Sequence, residues 1–435
     1  MTYSVKRTII KNFSSMIAAQ IFYKVVTFLM MVVMARFLGP KEFGQFSFGF
    51  SFVWIFLFIS DFGLAELFIR DVSLKADLLK KYMNNILTLK LYIALTAYLV
   101  LIILAWRYSF GVEKFWLIIL LGASLILDSF MYFFRCIFRV KGTMEYEGGL
   151  MVVEAAIKFL VIFVAINLGI GLPGAILIAA SLLLVSVLNV FINLTALLSC
   201  YHQFSFAFDA GFYRYLLKTS FPFALIYILS LLNFRIDIIM LSLMRGDVAA
   251  GWYNASFKLI EQFILIPITL SAVYLPVFSK FSESTRNLHA IAKKTLWLLL
   301  VISAALVVLL FIFGGFSVKI IYGDKFAEAG RYIFVLSLVL IPFFIKPITE
   351  KLLYAMKKQF IVCAIYASGV SLNVVLNFLM IPRWGINGSS LATVISEVLT
   401  VALSVFVYKR LYSISIERRN LLEAEMSFIG NEALY

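Results

Sequence analysis

Two basic side chains lie deep inside long apolar segments of this sequence, where a charge is costly. Lys24 is at the centre of the first segment and Arg235 is at the centre of the seventh. A charge near the middle of a bilayer normally faces a partner or a water-filled cavity. Neither cation has an acid three or four residues away along its own segment. The sequence therefore predicts that Lys24 and Arg235 face one cavity and hold an anionic part of a substrate there.

Other ionisable residues in the apolar segments occur as cation–acid pairs at helical spacing. The three pairs are Glu154–Lys158, Lys346–Glu350 and Lys258–Glu261. Because residues three or four apart are neighbours on a helix, each pair either neutralises itself or serves a ligand, and both interpretations stay open. Lys258 and Lys346 are therefore further candidates for substrate binding. The candidates for a coupling ion are Asp61, Asp128 and Asp237.

The residues that usually carry metal or nucleotide chemistry have no suitable pattern here. The three cysteines and two histidines share no metal-ligand spacing; they are Cys136, Cys200, Cys363, His202 and His289. The sequence has no phosphate-binding G-x-x-x-x-G-K-[ST] loop, so ATP is not expected as the direct energy source. It also has no Asp-x-Asp pair of the kind used by metal-dependent glycosyltransferases. We predict no metal, no cofactor and no catalytic residue.

The elements that must position these charges are membrane helices. Of 435 residues, 63% are apolar and only 14% are charged, which no soluble core requires. The run 296–313 is apolar on every face, whereas a β-barrel would alternate polar and apolar residues. The net charge of +15 is interpreted as basic loops that set topology and touch anionic lipid, with no nucleic-acid partner.

Twelve apolar segments are long enough to cross a bilayer, which takes about 20 residues each. They lie near 13–35, 45–69, 84–106, 115–134, 150–168, 174–197, 219–244, 249–278, 295–318, 332–350, 360–380 and 388–408. The eighth segment holds Pro267 and Pro276, which predict a kink or a helix end. With both termini inside, the inner loops and termini carry more than twice as many Lys and Arg residues as the outer loops. This asymmetry predicts a multi-pass protein of the cytoplasmic membrane with both termini in the cytoplasm.

The two halves of the sequence resemble each other. Pro40-x-x-Phe-Gly44 has a counterpart in Asp247-x-x-Ala-Gly251, 207 residues later, and Lys11 has one in Lys218 at the same offset. The segment 171–175 likewise matches 385–389, at an offset of 214. A duplicated unit of six helices keeps its sense across the membrane because six is even. The predicted fold is therefore all-α, with two six-helix bundles related by a parallel pseudo-two-fold axis around a central cavity. The predicted domains are 1–208, 209–410 and a polar cytoplasmic tail, 411–435.

Several motifs, in order along the whole chain, resemble a known family. They are Arg36-Phe-Leu-Gly-Pro-Lys-Glu-Phe-Gly44, Asp61-Phe-Gly-Leu64 with Arg70, Tyr253-Asn-Ala-Ser-Phe-Lys-Leu259, Ile321-Tyr-Gly-Asp-Lys-Phe326, Asn373-x-x-x-Asn377 and Ile381-Pro-Arg-Trp-Gly-Ile-Asn-Gly388. This order resembles the Wzx-type polysaccharide flippases (O-antigen or exopolysaccharide flippases), which belong to the multidrug/oligosaccharidyl-lipid/polysaccharide exporter (MOP) superfamily. The resemblance implies a two-lobed fold of twelve or fourteen helices. Twelve predicted spans suit this branch better than the fourteen-helix lipid II flippases.

The resemblance implies a flippase that moves isoprenoid-diphosphate-linked oligosaccharide repeat units across the membrane by alternating access. The implied partners are that glycan carrier, membrane lipid, H⁺ or Na⁺ as a coupling ion, and other polysaccharide assembly proteins. One alternative is a cation-coupled drug or metabolite exporter of the same superfamily. The other is a polytopic glycan polymerase or glycosyltransferase, which the short loops disfavour.

Overall fold

The chain folds into α-helices throughout the part that the structure describes. A computed structural model describes residues 3–108, 111–200, 207–271, 285–356 and 358–432, without the side chains of 3–14, 57–59, 76, 200, 285–291, 355, 359 and 414–432. The helices, in chain order, are α1 Tyr3–Asp61, α2 Leu64–Leu74, α3 Leu79–Arg107, α4 Val112–Val140, α5 Met144–Asn167, α6 Gly174–Cys200, α7 Ala210–Arg245, α8 Asp247–Phe263, α9 Thr285–Tyr322, α10 Ile333–Ser337, α11 Leu340–Ala355 and α12 Gln359–Glu432. Within these residues no strand occurs.

The long helices match the predicted membrane spans. Among the described residues, nine helical stretches are long and apolar enough to cross a membrane. Two of these stretches join a pair of predicted spans: α1 is interrupted at Gly39 (φ 68°) and α12 at Gly385 (φ 55°). Both interruptions need positive φ, which glycine adopts without steric cost. The predicted all-helical, multi-pass membrane fold is confirmed.

The predicted break in the eighth span lies one turn before Pro267. Helix α8 ends at Phe263, Ile264 is a turn, and residues 265–271 are helical again. Proline lacks the N–H that would bond the carbonyl of the residue four positions earlier, which is Phe263. The helix break is therefore confirmed, whereas Pro276 lies outside the described residues.

The second predicted span, 45–69, is not one continuous helix. Helix α1 ends at Asp61, and Phe62 and Gly63 both have positive φ before α2 begins. Asp61, the last residue of α1, forms an ion pair with Lys90 on α3. The expectation of a single helix over 45–69 is wrong because an apolar run does not reveal a backbone reversal within it.

A polar cluster outside the apolar spans joins α2 to α3 and α7. The carboxylate of Asp71 accepts hydrogen bonds from Arg70 (2.7 Å), Tyr82 (2.8 Å) and Tyr215 (3.3 Å). Burial by itself would raise the pKa of Asp71, but the hydrogen bonds from Arg70 and Tyr82 hold it below its ordinary value. The cluster fastens the end of α2 against its neighbours.

Packing divides the chain into two compact units. Unit 1 contains Met1–Asn254 with Ile321–Phe326, and unit 2 contains Ala255–Ile320 with Ala327–Tyr435. This division describes how the chain packs and does not test the sequence repeat. The repeat boundary at residue 208 and the central cavity stay predictions.

The matching motifs at residues 40 and 247 contact each other within unit 1. A Cβ atom added at Gly44 would collide with the carbonyl oxygen of Asp247, and one added at Gly251 would collide with that of Pro40. These contacts are reciprocal, because Asp247 and Gly251 are the counterparts of Pro40 and Gly44. A two-fold axis brings equivalent residues together in this way, so the contact is the one expected of a parallel duplication.

The next equivalent pair along the same helices is joined by a hydrogen bond. Asn254 Nδ2 donates to Ser47 Oγ at 2.7 Å, and these residues are also 207 positions apart. Small residues allow the backbones of membrane helices to approach this closely. The contact at Gly44 and Gly251 therefore depends on the absence of a side chain.

Replacing Gly44 or Gly251 by alanine is expected to lower the yield and the melting temperature of the folded protein. The added methyl groups collide with backbone atoms, and such overpacking typically costs about 1–3 kcal/mol. Gly149→Ala in α5 is the control, because nothing lies within 4 Å of a Cβ atom built there. Equal melting temperatures for the Gly44→Ala and Gly149→Ala proteins would contradict the close packing.

Candidate substrate cavity

Unit 1 contains a cavity of about 490 Å³ between α1, α2, α4, α5 and α7. Its volume is within the range of small-molecule sites, roughly 300–1,000 Å³. Eight acidic or basic side chains line it: Lys24, Asp61, Glu66, Asp128, Arg135, Arg139, Glu147 and Glu154. Three of the seven predicted site residues line this cavity: Lys24, Asp61 and Asp128. The other four do not line it: Arg235, Asp237, Lys258 and Lys346. A wall with this many charges is suited to a polar or charged ligand.

Lys24 lies on α1, where its side chain is exposed and contributes to the cavity wall. The preceding residue, Tyr23, donates a hydrogen bond from its hydroxyl to Glu154 Oε1 at 3.1 Å. This contact fastens α1 to α5 at the level of Lys24. Lys24 therefore lines a cavity of unit 1, while the cavity shared with Arg235 and the role of Lys24 in binding stay predictions.

A buried network of opposite charges lies beside Lys24 and joins α4 to α5. Glu154 contacts Lys158 (2.6 Å) and Arg135 (2.7 Å), and Lys158 also contacts Asp128 (3.1 Å). The other carboxylate oxygen of Asp128 accepts a hydrogen bond from Ser186 on α6 at 2.7 Å. The Glu154–Lys158 pair predicted from spacing is confirmed, but it belongs to a larger network than the sequence indicated.

Arg135 and Arg139 were not predicted as site residues, because the fourth span was expected to end at 134. Helix α4 continues to Val140, and Arg135 is buried. Arg135 donates to Asn193 Oδ1 (3.0 Å), and Arg139 donates to Glu147 from Nε (3.1 Å). The sequence contains one indication of them: two acids in neighbouring spans, Asp128 and Glu154, are more than Lys158 alone can neutralise.

Asp61 is held at the cavity wall by a lysine that the sequence did not single out. Lys90 on α3 is completely buried and forms an ion pair with Asp61. Its ammonium group also lies 5.9 Å from the ring centre of Phe130. Lys90 is within a predicted span, so its burial alone would have required a partner such as Asp61.

Arg235 lies behind the cavity wall and is not one of the residues that line it. Its guanidinium carbon is 5.4 Å from the ring centre of Trp54 and 5.6 Å from that of Phe50, while Trp54 itself lines the cavity. Neither Nε of Arg235 nor Nε1 of Trp54 has a hydrogen-bond partner among the described residues. Nearby, Asp237 accepts a hydrogen bond from the hydroxyl of Tyr253 at 2.8 Å.

In unit 2, one of the two predicted pairs is present and the other is not. Lys258 contacts Glu261 at 2.5 Å, as expected from the spacing. Lys346 instead contacts both carboxylate oxygens of Glu397 on α12 at 3.1 Å, while Glu350 accepts a hydrogen bond from Tyr366. The predicted Lys346–Glu350 pair is therefore wrong, because Lys346 forms its ion pair with a carboxylate from another helix. Across the described residues, no cluster of His, Cys, Asp or Glu side chains could hold a metal ion.

Replacing Lys346 by methionine is expected to destabilise the protein strongly, because Glu397 then remains as a buried charge with its cation removed. Breaking one side of a buried ion pair typically costs about 3–5 kcal/mol. The Lys346→Met/Glu397→Leu double variant should recover much of the melting temperature, since it removes both charges. A double variant that is less stable than either single variant would contradict the pairing.

The fold and the cavity together define the class of this protein. Apolar helices, a charged cavity and buried ion pairs within helices are features of a membrane transporter. Two family models match the chain: Polysaccharide biosynthesis protein over residues 9–282 and Lipid II flippase MurJ over residues 151–426. The chain belongs to the polysaccharide biosynthesis protein family, within the flippase branch that also includes MurJ.

Solved structures of the MOP superfamily share the fold of this chain. A lipid II flippase MurJ in an inward closed conformation matches with a TM-score of 0.73 and 16% identity, covering 90% of this chain and 87% of its own. An inward-facing MATE multidrug resistance transporter matches with a TM-score of 0.70 and 14% identity, covering 90% and 95%. A MOP superfamily transporter from Pyrococcus furiosus has a TM-score of 0.62 and 15% identity, covering 94% and 96%. No curated protein sequence matches this chain.

Proposed function

We propose that this protein flips isoprenoid-diphosphate-linked oligosaccharide repeat units across the cytoplasmic membrane by alternating access. The observation that carries the proposal is the charged cavity of about 490 Å³ inside a membrane helix bundle. A glycan cannot cross lipid tails unaided, because its hydroxyl groups would lose their hydrogen bonds to water. The names of the two matching family models support a lipid-linked glycan as the substrate class. In this proposal the protein is a transporter and not an enzyme.

Lys24 is the proposed contact for the diphosphate. Lys24 is an exposed residue of the cavity wall, which the buried Arg135 and the half-buried Arg139 also line. A cation in the cavity compensates the loss of hydration when phosphate oxygens leave water. The diphosphate is thus held at the depth of Lys24 while the sugars occupy the rest of the cavity.

Arg235 and Trp54 are proposed to act together beside Lys24. Trp54 lines the cavity wall, and aromatic rings of this kind suit stacking on sugar rings. Arg235, stacked behind Trp54, extends the positive potential toward the same region. Lys258 and Lys346, which contact Glu261 and Glu397 in this structure, take part in binding only after those pairs open.

The membrane potential is the proposed driving force. Moving two negative charges outward across a membrane that is negative inside is favoured by about 4.6 kcal/mol per 100 mV. Exchange of H⁺ or Na⁺ at Asp61, Asp128 or Asp237 adds to this drive. Of these three, Asp61 and Asp128 line the cavity, so their protonation or ion binding would change the charge that the substrate meets.

Reconstitution into liposomes tests the proposal directly. The substrate is an isoprenoid-diphosphate oligosaccharide with a fluorescent label on its glycan, and a membrane-impermeant reductant bleaches label outside. With the protein present, nearly all of the label should become accessible; without it, only the outer-leaflet fraction should. A labelled phosphatidylcholine is the control lipid and should not be moved. Efflux of organic cations driven by an H⁺ or Na⁺ gradient, without movement of the glycolipid, would favour the exporter that the MATE fold also accommodates.

Both termini are proposed to lie in the cytoplasm. Single cysteines at Gly111 and Lys325, in a background without the native cysteines, should react in intact cells with a membrane-impermeant thiol reagent. Cysteines at Lys141 and Lys358 should react only after the membrane is opened. The positive-inside asymmetry of the loops is the reason for this expectation. The reverse labelling pattern would contradict the orientation, without affecting the helical fold.

A further inference from the structure

Unit 2 contains a second cavity that is chemically unlike the first. It is a groove of about 410 Å³ between α9, α11 and α12. Its wall is mainly aliphatic and includes Leu296 and Leu300 on α9 with Val401 and Val405 on α12. A groove with such a wall excludes water, which needs several polar partners, and favours an alkyl or prenyl chain.

Two lysines extend the lining of this groove beyond its aliphatic residues. Lys293 precedes Leu296 by one turn on α9, and Lys409 follows Val405 by one turn on α12; both line the groove and are exposed. No carboxylate is among the described residues of its lining. The groove therefore combines an apolar length with two basic residues, and the neighbouring Trp297, 59% exposed, suits the interface between water and lipid tails.

We propose that this groove binds one anionic phospholipid of the surrounding membrane. An acyl chain lies along Leu296, Leu300, Val401 and Val405, and the phosphate lies between the ammonium groups of Lys293 and Lys409. Basic pockets between membrane helices bind anionic headgroups in this way, chiefly on the cytoplasmic side. That side is where the proposed topology places residues 293 and 409. The lipid is a bound component of unit 2 and is separate from the substrate of the unit 1 cavity.

Charge complementarity selects an anionic phospholipid over the other occupants. A neutral lipid would bring no net counter-charge to the two lysines, and free phosphate would leave the apolar groove unfilled. A phospholipid with a single net negative charge satisfies both parts of the site. Its removal should loosen the packing of α9 against α12, so bound lipid should also raise the melting temperature.

Native mass spectrometry of the full chain in detergent tests the site. The protein is titrated with phosphatidylglycerol and, separately, with phosphatidylcholine of identical acyl chains. We expect one phosphatidylglycerol to bind about thirtyfold more tightly, since each of the two lysines contributes about fivefold. The Lys293→Gln/Lys409→Gln variant should lose this preference. The Lys294→Gln/Arg410→Gln variant removes the same charge from exposed neighbours that do not line the groove, and it should keep the preference.

Two further arms separate the headgroup from the chain. Inorganic phosphate should give no rise in melting temperature at concentrations where phosphatidylglycerol does, because the chain supplies part of the affinity. Leu300→Trp, or the smaller change Val405→Phe, should fill the groove and lower phosphatidylglycerol binding while leaving a folded protein. The proposal would be overturned if the Lys294→Gln/Arg410→Gln variant lost the preference as fully as the Lys293→Gln/Lys409→Gln variant. Equal binding of the two lipids to the unaltered protein would also overturn it.

Discussion

Lys24→Ala is expected to lower glycan export about tenfold or more while the amount of protein in the membrane is maintained. A charge-assisted hydrogen bond contributes about 1.5–3 kcal/mol, and about 1.4 kcal/mol is a factor of ten in binding. Removing the ammonium group from the cavity wall takes away the cation that is proposed to contact the diphosphate. The same change removes a costly charge from a membrane helix, so expression should hold or improve. Surface glycan and protein level are measured in the same cells.

Charge and size are separated by the choice of replacement at residue 24. Lys24→Arg should retain most export and Lys24→Gln should not, because the cation and not the length of the side chain is needed. Lys218→Ala removes an exposed lysine of α7 that does not line the cavity and should export normally. Arg235→Ala should reduce export as well, with Lys restoring more than Gln. Normal export by the Lys24→Ala and Arg235→Ala proteins would place the anion site elsewhere.

Glu154→Ala is expected to produce the largest loss of stability among the single charge removals in unit 1. Glu154 accepts contacts from Lys158 (2.6 Å), Arg135 (2.7 Å) and Tyr23 (3.1 Å). Its removal takes a carboxylate away from two buried cations, Lys158 and Arg135, and such losses typically cost about 3–5 kcal/mol. The melting temperature in detergent should fall sharply, and the yield of folded protein should fall with it.

An exposed acid on the same helix provides the matched control. Glu145→Ala removes a carboxylate from the first turn of α5 and should change stability by only about 0.5 kcal/mol, as surface substitutions do. Glu154→Gln should be intermediate, since the amide oxygen still accepts hydrogen bonds but no longer neutralises the cations. If the Glu145→Ala and Glu154→Ala proteins melt at the same temperature, the network does not hold α4 against α5.

Ion pairs between distant segments explain why part of the site could not be predicted. Lys346 and Glu350 have favourable helical spacing, yet Glu397, 51 residues away, takes the lysine. Local spacing contributes only a few tenths of a kcal/mol, about 0.2–0.5, so a well-placed carboxylate from another helix outweighs it. The fourth predicted span ends at residue 134, one residue before Arg135. In the structure its contacts with Glu154 and Asn193 allow α4 to continue past it.

Sequence alone determined that this chain is a helical membrane protein with its charges at particular depths. The length and apolar composition of a segment indicate that it crosses the membrane. The helices, the break before Pro267 and the position of Lys24 within its span could therefore be predicted from nearby residues alone. The offset of 207 residues likewise predicted a duplication. Only the tertiary structure decided that Gly44 meets Asp247, that Lys90 neutralises Asp61, and that Arg235 lies behind Trp54. These outcomes depend on which helices are neighbours, and in a membrane that choice is made by close packing and charge pairing between helices, because lipid surrounds every apolar face equally well.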